Sequence, residues 1–335
     1  MRHRIFGTLN GRKLLCILIL IMFLPLALNY AAKKSLRREP VIAEGVELLG
    51  KPLGGLTPAA AETVLEQIAA VHHFPPVNAV IDEKTKGVIP EINGLQLDVD
   101  ATMTKILQAQ KGETVTPHYR QVAAPVTLKD FPDYPVYQGN PAKKQVVFLI
   151  NVAWGNEYLP DLLVALKEAD AQGSFFLVGR WVEGNQKEAE MIAEAGFEIA
   201  SHGYSDAISL QNADKETISA DLRKATQVIE SACKVKPQFF SPHRGELSPL
   251  VLQAAAEQNL RVIMWTLDTV DWQLPGVEKM LEKILGNVKG GDLILMHPTE
   301  QTPEFLRLVI PELRNRGLEP VTLSELLNPA RQVKE

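Results

Sequence analysis

The chain has 335 residues, 46% of them hydrophobic, and a formal net charge of −5. That much apolar material excludes wholesale disorder and is enough for two domains of ordinary size. The mild acidity, without any long basic stretch carrying interleaved aromatics, excludes nucleic acid as a partner. The only cysteines are Cys16 and Cys233, which excludes a disulfide framework and a C-x-x-C metal pattern. Cys233 is expected to be a helix packing residue.

Taken in chain order, residues 1–13 carry Arg2, Arg4, Arg12 and Lys13 ahead of an apolar run at 14–32. A charged segment followed by a run of this length predicts export to, or insertion in, a membrane. A cut after Ala32 would put Tyr30 three residues before it, and a cut after Ala31 would put Asn29 there. Neither is small, so the pattern favours a retained single-pass anchor, with 1–13 cytoplasmic and the bulk of the chain extracytoplasmic.

Residues 43–125 read as a small α+β body. Thr57 is a good N-cap, Pro58 suits the first helical position, and Ala61, Val64, Leu65 and Ile68 recur at helical spacing. "NAVIDE" and "INGLQLDVD" read as strands, with Asp100 capping a second helix near 101–110. Residues 126–142 hold three prolines and no periodicity, and so read as a linker.

From 143 to 330 strand and helix patterns alternate. Strands are expected at 145–151, 173–178, 197–202, 238–241, 261–266, 292–297 and 320–323. Near-continuous apolar strands joined by helices predict a parallel sheet, open or closed into a barrel. Polar residues fall at the strand ends. Asn151 ends the first, His202 the third and His297 the sixth. Pro242, His243 and Arg244 follow the fourth, and Asp268, Asp271 and Trp272 follow the fifth. In a parallel barrel these ends converge on the face that carries the active site.

The order and local sequences resemble the polysaccharide deacetylases with NodB homology (carbohydrate esterase 4-like). The matching segments are "FLINVAWGNEYLPDLLVALKEADAQGSFFLVG", "GFEIASHGYSDAISL", "FFSPHRGE", "IMWTLDTVDW" and "LILMHPTEQTPEFLRLVIPELRNRGLEPVTLSEL". "VAWGNE" and "SHGYS" look like the sporulation-type branch. The fold implied is a distorted (β/α)7 barrel. "GKPLGGLT" and "GLQLDVDATMTKILQAQKGE" in the first body are similar to an extracytoplasmic peptidoglycan-binding domain, with a simple spacer as the alternative. Cell-wall glycan is the partner these resemblances imply.

The family's chemistry is hydrolysis of a sugar N-acetyl group, assisted by a zinc-type divalent ion held by Asp, His and His, with an Asp base and a His acid. Carried over residue by residue, that machinery is damaged. Asn151 stands at the base position, and an amide has no useful basicity. Val152 stands at the metal-binding Asp position. His202 is kept, but the second metal His is Asp206, which leaves a weak, incomplete metal site. Ser241 replaces the arginine that steers the base. His297 matches the acid and Asp271 its support. Trp154, Pro242, His243, Arg244 and Trp272 are the expected substrate-binding residues. His243 could equally be a surface histidine.

Three readings follow. The first is a degenerate deacetylase that binds glycan without hydrolysing it. The second is a residual hydrolase of carbon–nitrogen bonds, with a metal on His202, Asp206 and water, and Glu157 replacing the base. The third is a non-enzymatic scaffold of the envelope.

Overall fold

The computed structural model describes residues 19, 22–26, 29–30 and 40–332. Most of the expected anchor at 14–32 lies outside the described residues. Among those described, no helix is long and apolar enough to cross a membrane.

The chain divides into two units, one reaching to His73 and including Gln96–Arg120, the other taking Phe74–Leu95 and everything from Gln121. In the first unit, β1 (Glu47–Leu48) pairs antiparallel with β2 (Lys51–Pro52) and parallel with β7 (Thr114–Val115). Its first helix is Pro58–Val71, with the Thr57 side chain accepting a hydrogen bond from the Ala60 amide at 3.3 Å, as the cap pattern predicts. Ala61, Leu65 and Ile68 are buried against Leu48, Leu53, Leu97 and Ile106. The second helix is Val99–Gln108 and is capped by Asp98, not Asp100. The Asp98 carboxylate accepts from the Ala101 amide at 2.9 Å, while Asp100 sits in the first turn. Two carboxylates two residues apart made the cap ambiguous in sequence.

Short strands β3 (His73–Phe74), β4 (Val80–Ile81), β5 (Val88–Ile89), β6 (Gly94–Leu97) and β8 (Tyr119–Val122) complete the N-terminal elements. The expected boundary at 125 differs from the observed division. The β4–β5 hairpin belongs to the second unit because Ala79 donates to the Val126 carbonyl and Val88 to that of Pro135. The expected linker at 126–142 is likewise part of that unit. Val136 is fully buried and bridges Ile263 in parallel. A lone β-bridge has no periodicity, so the sequence pattern missed it.

The second unit is built on an eight-stranded parallel sheet: β9 (Gln145–Val152), β10 (Ser174–Leu177), β11 (Glu198–Ser201), β12 (Phe239–Phe240), β13 (Arg261–Val262), β14 (Leu267–Asp268), β15 (Leu293–Met296) and β16 (Glu319–Pro320). The order is β13-β12-β11-β10-β9-β15-β14, with β16 pairing the start of β9. The expected fifth strand at 261–266 is strand only at Arg261–Val262; the next strand, β14, starts at Leu267 and lies at the opposite end of the ladder. Only four residues separate Val262 from Leu267, a reach of roughly 18 Å at most. The sheet must curl until its ends nearly meet, giving a parallel half-barrel. Helices including Leu159–Glu168, Lys215–Cys233 and Thr302–Asn315 cover its outside. Cys233 is buried there, in helix packing as expected.

Every inward and outward residue of β9 from Val146 to Val152 is buried. This is what a central strand covered on both faces requires. It also places Asn151 and Val152 at the C-terminal mouth of the half-barrel.

Candidate functional site

Two groups of side chains meet at this mouth. The first is built on Asp271 and His297. Asp271 is fully buried, and its carboxylate accepts from the His297 backbone amide at 2.6 Å and from His297 Nδ1 at 2.9 Å. Thr302 Oγ1 lies 3.1 Å from the same carboxylate and 2.7 Å from the His297 carbonyl, so one hydroxyl proton serves both. With Nδ1 committed to Asp271, Nε2 is the ring nitrogen left for a ligand. Trp154 lies parallel to the His297 ring, with centroids 5.8 Å apart and planes 10° apart. Gly155 makes that possible: its φ is +81°, and a Cβ there would fall 2.0 Å from the Pro298 carbonyl oxygen.

The turn carrying Asp271 is strained. Val270 (φ 56°) and Leu274 (φ 50°) bracket Asp271–Gln273 in the left-handed region. A β-branched residue there is an outlier, costing roughly 1–2 kcal/mol. Asp268 holds the turn by accepting from the Val270 amide at 2.7 Å. Trp272, next to Asp271, is 55% exposed, and Trp154 is 43% exposed.

The second group is built on Asn151 and His202. His202 Nδ1 donates to the Ser241 carbonyl at 2.7 Å, so its Nε2 carries the lone pair. That lone pair faces Asn151 Nδ2 at 3.4 Å. The amide orientation follows, because Asn151 Oδ1 facing the nitrogen would set acceptor against acceptor. The His243 ring packs edge-on at 4.2 Å from that of His202. Burial and then the His243 charge hold His202 well below the usual histidine range. Burial likewise pushes His243 down to about 4. Both imidazoles are therefore neutral near pH 7.

Three buried polar atoms in this group have no hydrogen-bond partner: Asn151 Oδ1, Ser241 Oγ and His243 Nε2. Each such atom costs about 1–3 kcal/mol, and native proteins keep few of them. Three at one barrel mouth mark a place arranged for something other than stability.

The donor set does not fit the metal that the family resemblance implies. Val152, at the expected carboxylate position, is fully buried and has no ligand atom. Asp206 is exposed. Among the described residues, no group of three or more His, Cys, Asp and Glu could hold a metal ion. The Asn151 amide proton also occupies the one lone pair that His202 offers. The neighbour that packs on His202 is His243, while Asp206 is exposed. His243 is buried, not a surface histidine. Glu157 is exposed at the turn before the first barrel helix.

Pro242, His243 and Arg244 form the turn after β12, as predicted. Arg244 is left-handed (φ 53°), and its side chain reaches Glu246 at 2.9 Å and the Asp206 carbonyl at 3.4 Å. Sequence reasoning missed the Trp154 stack, the Thr302 contact and Asp221. Asp221 is buried beneath the Gly203 turn and accepts from the Tyr204 amide at 2.8 Å. None of the three follows a spacing rule. A cavity of about 520 Å³ lined by Lys143, Lys144, Arg314, Glu319, Glu325 and Arg331 opens at the opposite ends of β9 and β16. Its Arg314 is paired with Glu319 at 2.7 Å and Lys143 with the Leu326 carbonyl at 2.6 Å, so those charges are committed to structure.

Residues 138–263 match the polysaccharide deacetylase family, and residues 52–116 match the family described as a peptidoglycan binding domain. The uncharacterised YlxY protein of Bacillus subtilis is 37% identical over 270 residues, spanning 81% of this chain and 84% of that protein. A family 4 carbohydrate esterase (CE4) pseudoenzyme from Bacillus anthracis superposes with a TM-score of 0.71 and 34% identity, covering 81% of this chain and 96% of that one. A variant of that pseudoenzyme, described as having restored enzymatic activity, also matches at TM-score 0.71, with 33% identity over 81% of this chain and 99% of its own.

The chain belongs to the polysaccharide deacetylase family. A peptidoglycan-N-acetylglucosamine deacetylase of Bacillus cereus is a more distant relative, 30% identical over 51% of this chain and 82% of its own. At this chain's barrel mouth Asp271 and His297 are hydrogen-bonded to each other, and Asn151 faces His202.

Proposed function

We propose that this protein binds cell-wall glycan through a deacetylase barrel that no longer hydrolyses it. The observation that carries the proposal is Asn151 Nδ2 facing His202 Nε2 at 3.4 Å, with the aliphatic Val152 next in the chain. An amide takes no proton from water, and Val152 offers no ligand atom. Trp154, stacked on His297, and Trp272, next to Asp271 in sequence, are both exposed aromatic side chains suited to the apolar face of a pyranose. The match of residues 52–116 supports a second glycan contact in the first unit. The basic segment 1–13 and apolar run 14–32 support tethering at the membrane, with both units outside the cytoplasm. The sporulation-type look of "VAWGNE" and "SHGYS" supports a role in spore envelope assembly.

The test pairs two assays on the purified protein. N-acetylglucosamine oligomers should bind with EDTA present, and acetate release should stay at background with zinc added. Turnover of those oligomers by the unmodified protein would sink the proposal. The intact Asp271–His297 pair favours residual hydrolysis as the second reading. Its signature is acetate release that disappears in His297→Ala.

A further inference from the structure

We infer that a groove in the first unit, between the β1–β2 turn and the helix Pro58–Val71, takes a short acidic peptide with small apolar side chains, the chemistry of peptidoglycan stem peptides. The inference rests on the cell-wall reading and deepens it by assigning this unit the peptide part of the polymer.

Leu49 marks the groove. Leu49 and Gly50 join β1 to β2, with Leu48 paired to Lys51 across the turn. Both have positive φ, 49° and 72°. A two-residue hairpin of this kind needs the left-handed region at both positions and favours Asn-Gly. Leucine there brings its Cβ against the following carbonyl. It gains little burial in return: Leu48 beside it is fully buried, while Leu49 stays 41% exposed. An apolar side chain held strained and exposed is retained for something outside the fold's own packing. The helix supplies the other wall. Val64, Gln67, Ile68 and Val71 recur at i, i+3, i+4 and i+7, and so share one face. Val71 is 73% exposed. With Leu49, Lys51, Pro52 and His72 they line a cavity of about 460 Å³. That is within the roughly 300–1,000 Å³ of small-ligand sites.

The lining selects the ligand. Its apolar members are Leu, Val, Ile and Pro, with no Trp, Tyr or Phe among them. A pyranose face stacks on aromatic rings, whereas methyl-sized side chains pack against an aliphatic wall. Lys51 brings a cation, and no Asp or Glu lines the groove, so an anion is favoured over a cation. The Gln67 carboxamide offers both donors and an acceptor, as a peptide backbone requires. Lys51, Gln67 and His72 are all exposed, so these groups are open to a ligand as the fold stands. Apart from Leu49 and Lys51, the whole lining falls inside the 52–116 match to the peptidoglycan binding domain.

The experiment is calorimetric titration of the full chain with two probes, the pentapeptide L-Ala-D-γ-Glu-L-Lys-D-Ala-D-Ala and tetra-N-acetylchitotetraose. The peptide should bind, and Leu49→Asn should weaken it at least about tenfold while leaving the chitotetraose affinity unchanged. Leu49→Asn should also raise the urea midpoint, because Asn suits the turn. Weaker peptide binding in a more stable variant separates a ligand contact from a structural one. Lys51→Gln should weaken the peptide too, and by less at high salt. Peptide binding that is absent in the unmodified chain, or unchanged in Leu49→Asn, overturns the inference and leaves glycan binding by the barrel standing on its own probe. A lowered urea midpoint in Leu49→Asn shows that Leu49 serves the unit's own packing, which also overturns it. Loss of chitotetraose binding in that variant overturns it in favour of a glycan groove, and a dimer that dissociates there overturns it in favour of a second copy. Peptide binding without chitotetraose binding sustains the inference and overturns glycan binding by the barrel.

Discussion

The two halves of the barrel mouth are made from the same strand ends yet obey different rules. Around Asp271 and His297 every donor meets an acceptor, and the strained Val270–Leu274 turn is retained to aim them. Around Asn151 and His202 polar atoms are buried without partners, and two imidazoles are held neutral by burial. A half that had merely decayed would fill with apolar side chains, since swapping both partners of a buried pair for apolar groups is nearly neutral. Only Val152 shows that outcome. Asn151, Ser241 and His243 keep polarity at a cost, which points to a site retained for binding.

The comparison breaks most readily at Asp271. Asp271→Ala leaves two His297 donors unpaired in a buried setting and should lower stability by about 3 kcal/mol, read from urea melts. A loss near zero would show that the acid half is no better satisfied than the other.

The second prediction concerns pH. His243 titrates at about 4 in the fold against 6.5 in the open chain, and His202 is shifted the same way. Between those values the unfolded chain binds more protons. Stability is therefore full above pH 6.5 and is lost as pH falls toward 4, by on the order of 3 kcal/mol for His243. His243→Phe, an apolar ring of similar size, should remove most of that acid limb. A limb unchanged in the variant would place the titration elsewhere.

A sharper comparison comes from Asn151→Asp. The carboxylate would face His202 Nε2 and favour a proton there, raising the His202 pKa, visible by NMR. Acetate release should stay at background, because Val152 still supplies no ligand. Activity in this single variant would show that the metal half is one substitution from function.

The smallest effect is expected at Trp154. Trp154→Ala removes the ring stacked on His297 and should cost about 0.5–1 kcal/mol, while shifting the His297 ring resonances. Unchanged resonances would mean the stack does not fix the ring.

Much of the fold was legible because strand periodicity and capping are local. Gln145–Val152 was expected to within a residue, and Thr57 caps as its position before Pro58 required. The pieces that were missed depend on distant partners. Val136 lacks periodicity and pairs with Ile263, 127 residues on. Residues 261–266 look like one strand because the curl that separates Val262 from Leu267 leaves no trace in composition. In the site, the Asp271–His297 pair was readable from the family motifs. The packing of His243 on His202 was not, since a histidine after a strand reads equally as surface.

By itself, the sequence determined the alternating architecture, the family resemblance, and the residue types at the strand end: an amide at Asn151 and an aliphatic side chain at Val152. Those conclusions need only residue type and order. The tertiary structure alone decided what those side chains face. Which nitrogen of His202 is free, which way the Asn151 amide points, and which polar atoms lack partners all follow from groups brought together across 39 to 51 residues of chain. Hydrogen-bond direction and burial belong to such contacts and exist only once the sheet has curled.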